Sequence, residues 1–235
     1  MFRLSLVALL VLLAAPFSCD YPDVESYIQA EEVLRWEPAI HRFDSLNAIE
    51  DSDETTLLVT GSSSVRLWDG VATDLAPYKV MQRGYGGAKL SDYNYYAKRI
   101  IKAHRFKGIV VFIANDIHGG DDDRSPEEVL ALFRKLSKQI REQNGRTPVL
   151  WVGITPTPYR WEVWPNTREA NELIKAYCKW RRPLHFIPTE DLFIGPDGLP
   201  DSSLFRADML HLNADGYRVW AERIKEGLAG AGIEP

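Results

Sequence analysis

The stretch GIVVFI, residues 108–113, is a continuous apolar run that ends in the polar sequence Ala114-Asn115-Asp116. A run without alternating polar residues is typical of a strand that is buried on both faces, as in a parallel sheet. We therefore expect this stretch to form a central strand, with polar residues presented at its carboxyl end.

Further apolar runs on both sides of this stretch predict more strands, and amphipathic segments between them predict helices. The strands are expected at residues 57–60, 78–83, 148–154 and 184–187, and the helices at 92–104, 125–143, 166–180 and 213–228. Ser125-Pro126-Glu127-Glu128 is typical of a helix start, with an N-cap, a proline and acids in the first turn. Alternation of strands and helices indicates an α/β domain with a mainly parallel five-stranded sheet.

Length and composition fit one folded domain. The chain has 235 residues, of which 45% are hydrophobic and 26% are charged, so it can bury a substantial core. The net charge is -5 and no basic stripe is visible, which argues against a nucleic-acid partner.

The N-terminus has the pattern of an export signal. Arg3 precedes an apolar run at 4–15 that is short for a bilayer span, so we interpret residues 1–18 as a signal peptide. Cys19 stands where a bacterial lipoprotein carries its lipidated cysteine, although Pro16 and Phe17 fit that cleavage pattern poorly. Two forms stay open: a lipoprotein anchored to a membrane through Cys19, and a soluble exported protein cleaved nearby. Both predict a periplasmic or cell-envelope location.

The rest of the chain divides into two parts. Residues 19–53 are polar and mixed, with a helical patch at 24–35, and we expect them to be a lead-in that packs on the domain. Residues 54–235 hold all the predicted strands and form the domain itself.

Each unusual segment follows a predicted strand. They are the turn at 61–64, the glycine-rich sequence at 84–87, residues 114–116, an aromatic loop at 155–165 and residues 208–211. Ligands of parallel sheets bind outside the carboxyl ends of the strands. We therefore expect these segments to meet at one edge of the sheet and to form a site.

An acid three residues before a histidine suggests a base. If the chain turns there, Asp208 can accept a hydrogen bond from one ring nitrogen of His211 and leave the other nitrogen free. Such a base can activate a serine hydroxyl, and the turn after the first strand offers Ser63, with Ser62 and Ser64 as rivals by composition.

Attack on an ester would create an oxyanion, which needs fixed hydrogen-bond donors. The backbone N–H of Ser63, a glycine N–H from Gly86 or Gly87 and the side-chain amide of Asn115 could supply them. An alternative is that these residues only form turns.

Two further groups have competing interpretations. Tyr159, Trp161 and Trp164 could form a wall for an acyl chain or a sugar ring, or could simply pack over the sheet edge. The acidic loop with Asp116, His118 and residues 121–123 has a spacing that matches no known metal site, so we interpret it as a charged loop and expect no metal.

Four segments together resemble the four sequence blocks of the SGNH (GDSL-type) hydrolases, in the order of that family. They are GSSSVRLW at 61–68, RGYGGA at 83–88, ANDI at 114–117 and DMLHLN at 208–213, and the resemblance covers about residues 57–228. It implies a flavodoxin-like three-layer α/β/α sandwich and a serine esterase that needs neither metal nor cofactor.

The resemblance also implies a role for each matching residue. Ser63, the second residue after the glycine of the first block, would be the nucleophile, and Asp208 and His211 would be the acid and the base. Gly87 and Asn115 would join Ser63 in the oxyanion hole.

Two positions depart from the family pattern. Ser62 stands in place of the usual Asp, and Ala114 stands in place of the glycine before Asn115. If position 114 needs a positive φ, alanine would be strained there and could displace Asn115.

Three functions follow as hypotheses. The first is an exported serine esterase acting on a small-molecule, glycan or lipid ester, such as a carbohydrate O-acetyl group or a lysophospholipid. The second is a non-catalytic, envelope-anchored glycan-binding domain, and the third is acyl transfer to a sugar acceptor. An α/β-hydrolase is excluded, because the Gly-x-Ser-x-Gly signature would need a glycine where Val65 stands.

Overall fold

The computed structural model describes residue 25, residues 30–101 and residues 105–235. The predicted signal peptide at 1–18 and Cys19 lie outside the described residues, as does most of the first half of the predicted 24–35 patch, so these stay predictions. Within the described ranges, none of the helices combines the length and the apolar character that crossing a membrane requires.

The described residues form one sheet of five strands, and every neighbouring pair is parallel. The strands are β1 (Thr56–Gly61), β2 (Lys79–Gly84), β3 (Gly108–Phe112), β4 (Val149–Val152) and β5 (Leu184–Ile187). Their order across the sheet is β2-β1-β3-β4-β5. The stretch at 108–113 thus forms the central strand, as predicted.

Helices cover both faces of the sheet. They are α1 (Ala30–Leu34), α2 (Glu37–Asn47), α3 (Ser63–Arg66), α4 (Val71–Asp74), α5 (Leu90–Ile101), α6 (Pro126–Asn144), α7 (Trp164–Cys178), α8 (Glu190–Phe193) and α9 (Ala214–Gly230), with short 3-10 helices at Pro158–Val163 and Ser202–Leu204. The predicted start of α6 is a capping box, in which Ser125 and Glu128 each bond the backbone N–H of the other.

Alternate residues of β3 point into two separate cores. Ile109 and Val111 pack with residues of α5, α6 and α7, whereas Val110 and Phe112 pack with residues of α9 on the opposite face. Burying an aliphatic or aromatic side chain of this size contributes roughly 1.5–3 kcal/mol, so both cores hold the sheet. The predicted three-layer α/β/α sandwich with a parallel five-stranded sheet is therefore confirmed.

The segment before the sheet packs on the α5 face. Ile40 and Phe43 of α2 are buried in the same core as α5, and the Trp36 indole donates to Asp92 of α5 at 3.0 Å. The sequence did not predict α2, and the division of the chain at residue 53 stays a prediction.

One glycine determines how the chain leaves β1 for the site. Gly61 has a φ of 140°, and a Cβ there would lie 1.8 Å from the carbonyl oxygen of Phe112. Only glycine tolerates this approach, which lets the Ser62 N–H bond that same carbonyl at 2.9 Å. The next residue, Ser63, begins α3 just beyond the sheet edge.

Candidate active site

Of the three adjacent serines, Ser63 is the one whose hydroxyl meets the predicted base. Ser62 is fully buried, and its hydroxyl has no hydrogen-bond partner among the described residues. The carbonyl of Ser62 accepts from the N–H groups of Val65 and Arg66, which turns the chain into α3. Ser63 is half-buried at the first position of that helix.

A tight turn folds Asp208 back onto His211. One carboxylate oxygen of Asp208 accepts from the backbone N–H groups of Leu210 and His211, at 3.0 and 2.9 Å. Met209, which follows Asp208 in this turn, has a φ of 56°, the left-handed conformation that such a turn uses. The second carboxylate oxygen lies 2.7 Å from Nδ1 of His211. The fold-back that the sequence predicted is present.

The other ring nitrogen faces the serine. Nε2 of His211 lies 2.9 Å from Ser63 Oγ, and the imidazole side chain is 19% exposed. An ionised carboxylate only accepts, so Nδ1 must donate to Asp208, and Nε2 of the neutral ring is then the acceptor for the Ser63 hydroxyl. Hydrogen bonds thus run without a break from Ser63 through His211 to Asp208, an arrangement able to remove the hydroxyl proton.

The charge state of Asp208 suits this arrangement. Burial raises its pKa, but hydrogen bonds from the His211 ring and from the backbone N–H groups of His211 and Leu210 outweigh burial and lower the pKa to about 2. The carboxylate is therefore ionised at neutral pH and can stabilise a positive charge on His211.

Two residues to which the sequence analysis gave no role, one beside the turn 208–211 and one in α9, bond carbonyls in the segment that carries Ser63. Arg206 donates from Nε to the Leu212 carbonyl and from its terminal nitrogen to the Leu67 carbonyl, both at 3.0 Å. Tyr217 of α9 donates to the Ser64 carbonyl at 2.8 Å. Long-range contacts of this kind leave no periodic signal in a sequence.

The amide of Asn115 faces the same edge. Its Nδ2 donates to the carbonyl of Ala88 at 2.9 Å, and Asn115 lines the cavity that holds Ser63 and His211. Met209 is the non-glycine residue with a positive φ in the described part of the chain, so Ala114 is free of the strain that its departure from the family pattern suggested. Gly87, directly before Ala88, has a φ of 68° and lies outside the cavity lining.

The cavity beside Ser63 is small. Its volume is about 30 Å³, and Phe112, Ile154 and Trp164 form apolar parts of its wall. A single water needs about 10–15 Å³ on this scale, so the cavity has room for only a few heavy atoms.

The three predicted aromatic residues divide between the cavity and its rim. Trp164, the first residue of α7, is 6% exposed and lines the cavity. Trp161 stacks on Trp164 with ring centroids 6.2 Å apart and planes at 12°. Tyr159 is 68% exposed, and its N–H donates to the Met209 carbonyl at 3.0 Å, so the aromatic loop borders the His211 turn.

Arg160, inside the same loop, is a cavity residue that the sequence analysis passed over. Its guanidinium donates to the Ala114 carbonyl at 2.6 Å and to Oδ1 of Asn115 at 2.8 Å. Burial lowers its pKa, while Asp123 partly opposes this. The sequence signal that could have identified Arg160 is its positive charge in a loop that follows a strand.

A second histidine–aspartate group lies in the acidic loop, and we name it the His118 group: His118, Asp122 and Asp123. Nε2 of His118 is 2.9 Å from Asp122, and potential ligand atoms of all three residues lie within 4.8 Å of one another. Asp123 accepts backbone N–H groups of residues 118, 119 and 120, and Lys89 forms an ion pair with Asp122. The charged side chains of the His118 group are thus paired with one another, with backbone N–H groups and with Lys89.

Comparisons with known proteins give matches at the level of family and fold. The sequence model of the GDSL-like lipase/acylhydrolase family matches residues 53–219. None of the curated proteins matches the chain.

Solved structures share the fold at low sequence identity. A protein from Streptococcus pneumonia, described as a candidate platelet activating factor, superposes with a TM-score of 0.71 at 18% identity, over 83% of this chain and 94% of that chain. A GDSL-like lipase from Bacteroides thetaiotaomicron gives 0.65 at 16% identity, over 82% and 98%. A carbohydrate esterase of family 3 from Talaromyces cellulolyticus gives 0.52 at 14% identity, over 77% and 100%.

Proposed function

The chain belongs to the GDSL-like lipase/acylhydrolase family, and from this premise we propose that it is an exported serine esterase that removes short acyl groups from carbohydrates. The observation that carries the proposal is the continuous hydrogen-bonded path from Ser63 through His211 to Asp208, with distances of 2.9 and 2.7 Å. A polar path of this kind beside a cavity suits nucleophilic attack by a serine.

In the proposed reaction, His211 Nε2 takes the hydroxyl proton as Ser63 Oγ attacks the ester carbonyl carbon. The carbonyl oxygen becomes an oxyanion, which accepts hydrogen bonds from the N–H of Ser63 and the amide of Asn115, both residues of the cavity wall. The family resemblance adds the N–H of Gly87 as a third donor. Asp208 stabilises the imidazolium that His211 has become.

Collapse of this intermediate breaks the bond to the alcohol oxygen, and His211 returns its proton to the leaving alcohol. Water then enters, loses a proton to His211 and attacks the acyl-enzyme. The carboxylic acid leaves, and Ser63 regains its proton from His211. No metal or cofactor takes part in this scheme.

The substrate class rests on the shape of the cavity and its rim. A volume of about 30 Å³ walled by Phe112, Ile154 and Trp164 suits an acetyl group better than a long acyl chain. The exposed ring of Tyr159 and the stacked ring of Trp161 offer apolar faces on which a sugar can lie. The fold is also similar to that of a carbohydrate esterase, which is compatible with a carbohydrate ester as substrate.

We also propose a place for the protein in the cell. The sequence of residues 1–18 favours export, and Cys19 favours anchoring of the mature protein to a membrane of the envelope. Expression of the full chain with labelled palmitate tests this: label lost in Cys19→Ser supports anchoring, and an unlabelled exported protein contradicts it.

A serine-directed probe tests the mechanism. The protein without residues 1–18 is incubated with a fluorophosphonate, and the adduct is located by mass spectrometry. We expect labelling at Ser63 that is lost in His211→Ala and kept in the matched control Ser64→Ala, because only an activated hydroxyl displaces the fluoride. A folded protein without any adduct would contradict the esterase and favour a glycan-binding domain.

A product assay then tests the substrate. We expect kcat/KM for p-nitrophenyl acetate to exceed that for the octanoate by at least about 10-fold, because one missing or extra methylene in a pocket is worth roughly 10-fold or more. Free acetate released from an acetylated oligosaccharide would support hydrolysis. Acetyl groups recovered on an added sugar would instead identify an acyltransferase.

A further inference from the structure

We propose that Arg160 is a positioning residue of the oxyanion hole, which holds the Asn115 amide in the one orientation that offers an N–H to the reacting oxygen. The inference rests on the proposed esterase function and adds a residue to it. It concerns the charge and the donors that face the acyl group rather than the nucleophile.

The guanidinium of Arg160 contacts two consecutive residues at the end of β3. It donates to the Ala114 carbonyl at 2.6 Å and to Asn115 Oδ1 at 2.8 Å. Hydrogen bonds from a charged donor are about twice as strong as neutral ones. The planar fork therefore fixes both the backbone and the side chain at this position.

These contacts select one of the two possible orientations of the amide. Arginine can only donate, so it must meet the oxygen of Asn115, and the Ala88 carbonyl can only accept, so it must meet the nitrogen, 2.9 Å away. The amide nitrogen carries two hydrogens, and Ala88 takes one. The second is left for an acceptor in the cavity that Asn115 lines.

The charge of Arg160 also acts through the amide. The positively charged guanidinium next to Oδ1 polarises the Asn115 amide, and this makes the amide N–H a stronger donor. Among the described residues, none of the carboxylates forms an ion pair with Arg160. Asp123 interacts with its charge through space and offsets part of it, which leaves the rest to act on an oxyanion that develops nearby. Fixed charges of this sort need no rearrangement during the reaction, which is how an oxyanion hole lowers the barrier.

The backbone at Arg160 is itself held in place. Its N–H donates to the side chain and to the carbonyl of Thr157, both at 3.2 Å. The residue departs from helical geometry, with φ and ψ of -112° and 22°, inside the 3-10 helix Pro158–Val163. The loop thus has a defined conformation at the point where the guanidinium leaves it.

The test is a double-mutant cycle with p-nitrophenyl acetate. Kinetics are compared for the wild type, Arg160→Met, Asn115→Ala and the double variant, with Arg168→Met on α7 as the control for loss of a nearby exposed arginine. Removing one oxyanion donor costs about 100-fold in kcat, so we expect that loss in Asn115→Ala. Arg160→Met is expected to lower kcat roughly 10-fold with little change in KM, because the affected contact strengthens only in the transition state.

The double variant decides whether Arg160 acts through Asn115. If it does, the double variant stays within about 3-fold of Asn115→Ala, since a lost partner cannot be lost twice. Losses that multiply, a raised KM with unchanged kcat, or an Arg160→Met kcat equal to that of the wild type would each overturn the proposal.

Arg160→Lys guards against a variant that fails to fold. Lysine keeps the charge but cannot hold both oxygens at once, so we expect an intermediate kcat and the same non-additivity with Asn115→Ala. Circular dichroism melting of every variant identifies loss of fold.

Labelling of Ser63 separates the two proposals. A folded wild type that neither turns over the ester nor reacts with the fluorophosphonate defeats the esterase, and Arg160 with it. A reactive wild type whose Arg160→Met variant reacts equally fast defeats the positioning role alone.

Discussion

The described residues contain two turns in which a histidine contacts a nearby aspartate. The turns differ in which ring nitrogen the aspartate contacts and in what faces the other nitrogen. In the His211 turn, Asp208 contacts Nδ1 at 2.7 Å, and Nε2 is turned toward Ser63. In the His118 group, Asp122 contacts Nε2 itself, and Lys89 pairs with the same carboxylate.

The difference shows that histidine next to aspartate is not enough to make a base. Both aspartates are exposed at the surface, and in each turn an aspartate also accepts backbone N–H groups. A base needs the acid on one nitrogen and the substrate or nucleophile on the other. In the His118 group both carboxylates lie near Nε2, and Lys89, which lies outside the loop, pairs with one of them.

The largest expected effect separates the two histidines. Because His211, unlike His118, contacts the serine hydroxyl, His211→Ala should lower kcat for p-nitrophenyl acetate by roughly 10⁴-fold or more. His118→Ala should leave kcat within about 2-fold, as expected for a surface change away from the chemistry. Equal losses in the two variants would mean that the histidines do not differ in the way described.

A smaller effect separates the two aspartates. Asp208→Asn should lower kcat by up to about 10⁴-fold, because an amide favours the wrong tautomer of His211. Asp122→Asn, the matched control, should keep kcat within about 2-fold, since surface changes are usually near neutral. Steady-state rates at pH 7 test this, and a full loss in Asp122→Asn would contradict it.

Asp208 and Asp122 should contribute in the same way to the loss of folding stability at acid pH. The pKa of each carboxyl is about 2, below the ordinary 3.8: for Asp122 mainly through the bond from Lys89, and for Asp208 through the His211 hydrogen bonds that outweigh burial. A lowered pKa stabilises the folded state above about pH 4, and that stability is lost as the pH falls toward 2. Both Asn variants should therefore show a shallower fall of Tm over this interval than the wild type, and an unchanged profile would disprove the pairing.

The smallest effect concerns Lys89. Lys89→Met removes the ion pair with Asp122, whose side chain is 63% exposed, so the free energy of unfolding should fall by less than about 1 kcal/mol. Ester turnover should not change. A large loss of turnover would instead connect the His118 group with the site.

The sequence predicted those parts of the fold that depend on local patterns. β5 lies at Leu184–Ile187, as predicted, and the capping box of α6 follows from Ser125 and Glu128. The helix α2 was not predicted, although Pro38 lies in its first turn, where a proline costs a helix no hydrogen bond. The aromatic loop was predicted as irregular, and its 3-10 helix has no periodic signature.

The site was predictable where chemistry and spacing coincide, and not where it depends on distant packing. Asp208 and His211 are three residues apart, so a single turn explains their contact. Arg160 and Arg206 reach their partners across the fold, and an isolated arginine in a loop gives no hint of which carbonyl it will find.

The hydrogen bond between Ser63 and His211 joins residues that are 148 positions apart. It can exist only after the first strand and the last turn have both been built, so a ribosome-bound chain that stops before residue 208 has the serine without its base. If Ser63 is the proposed nucleophile, its reactivity toward a probe would distinguish fully synthesised, folded chains from incomplete ones. During refolding from denaturant, its return is expected to report that these two distant segments have come together.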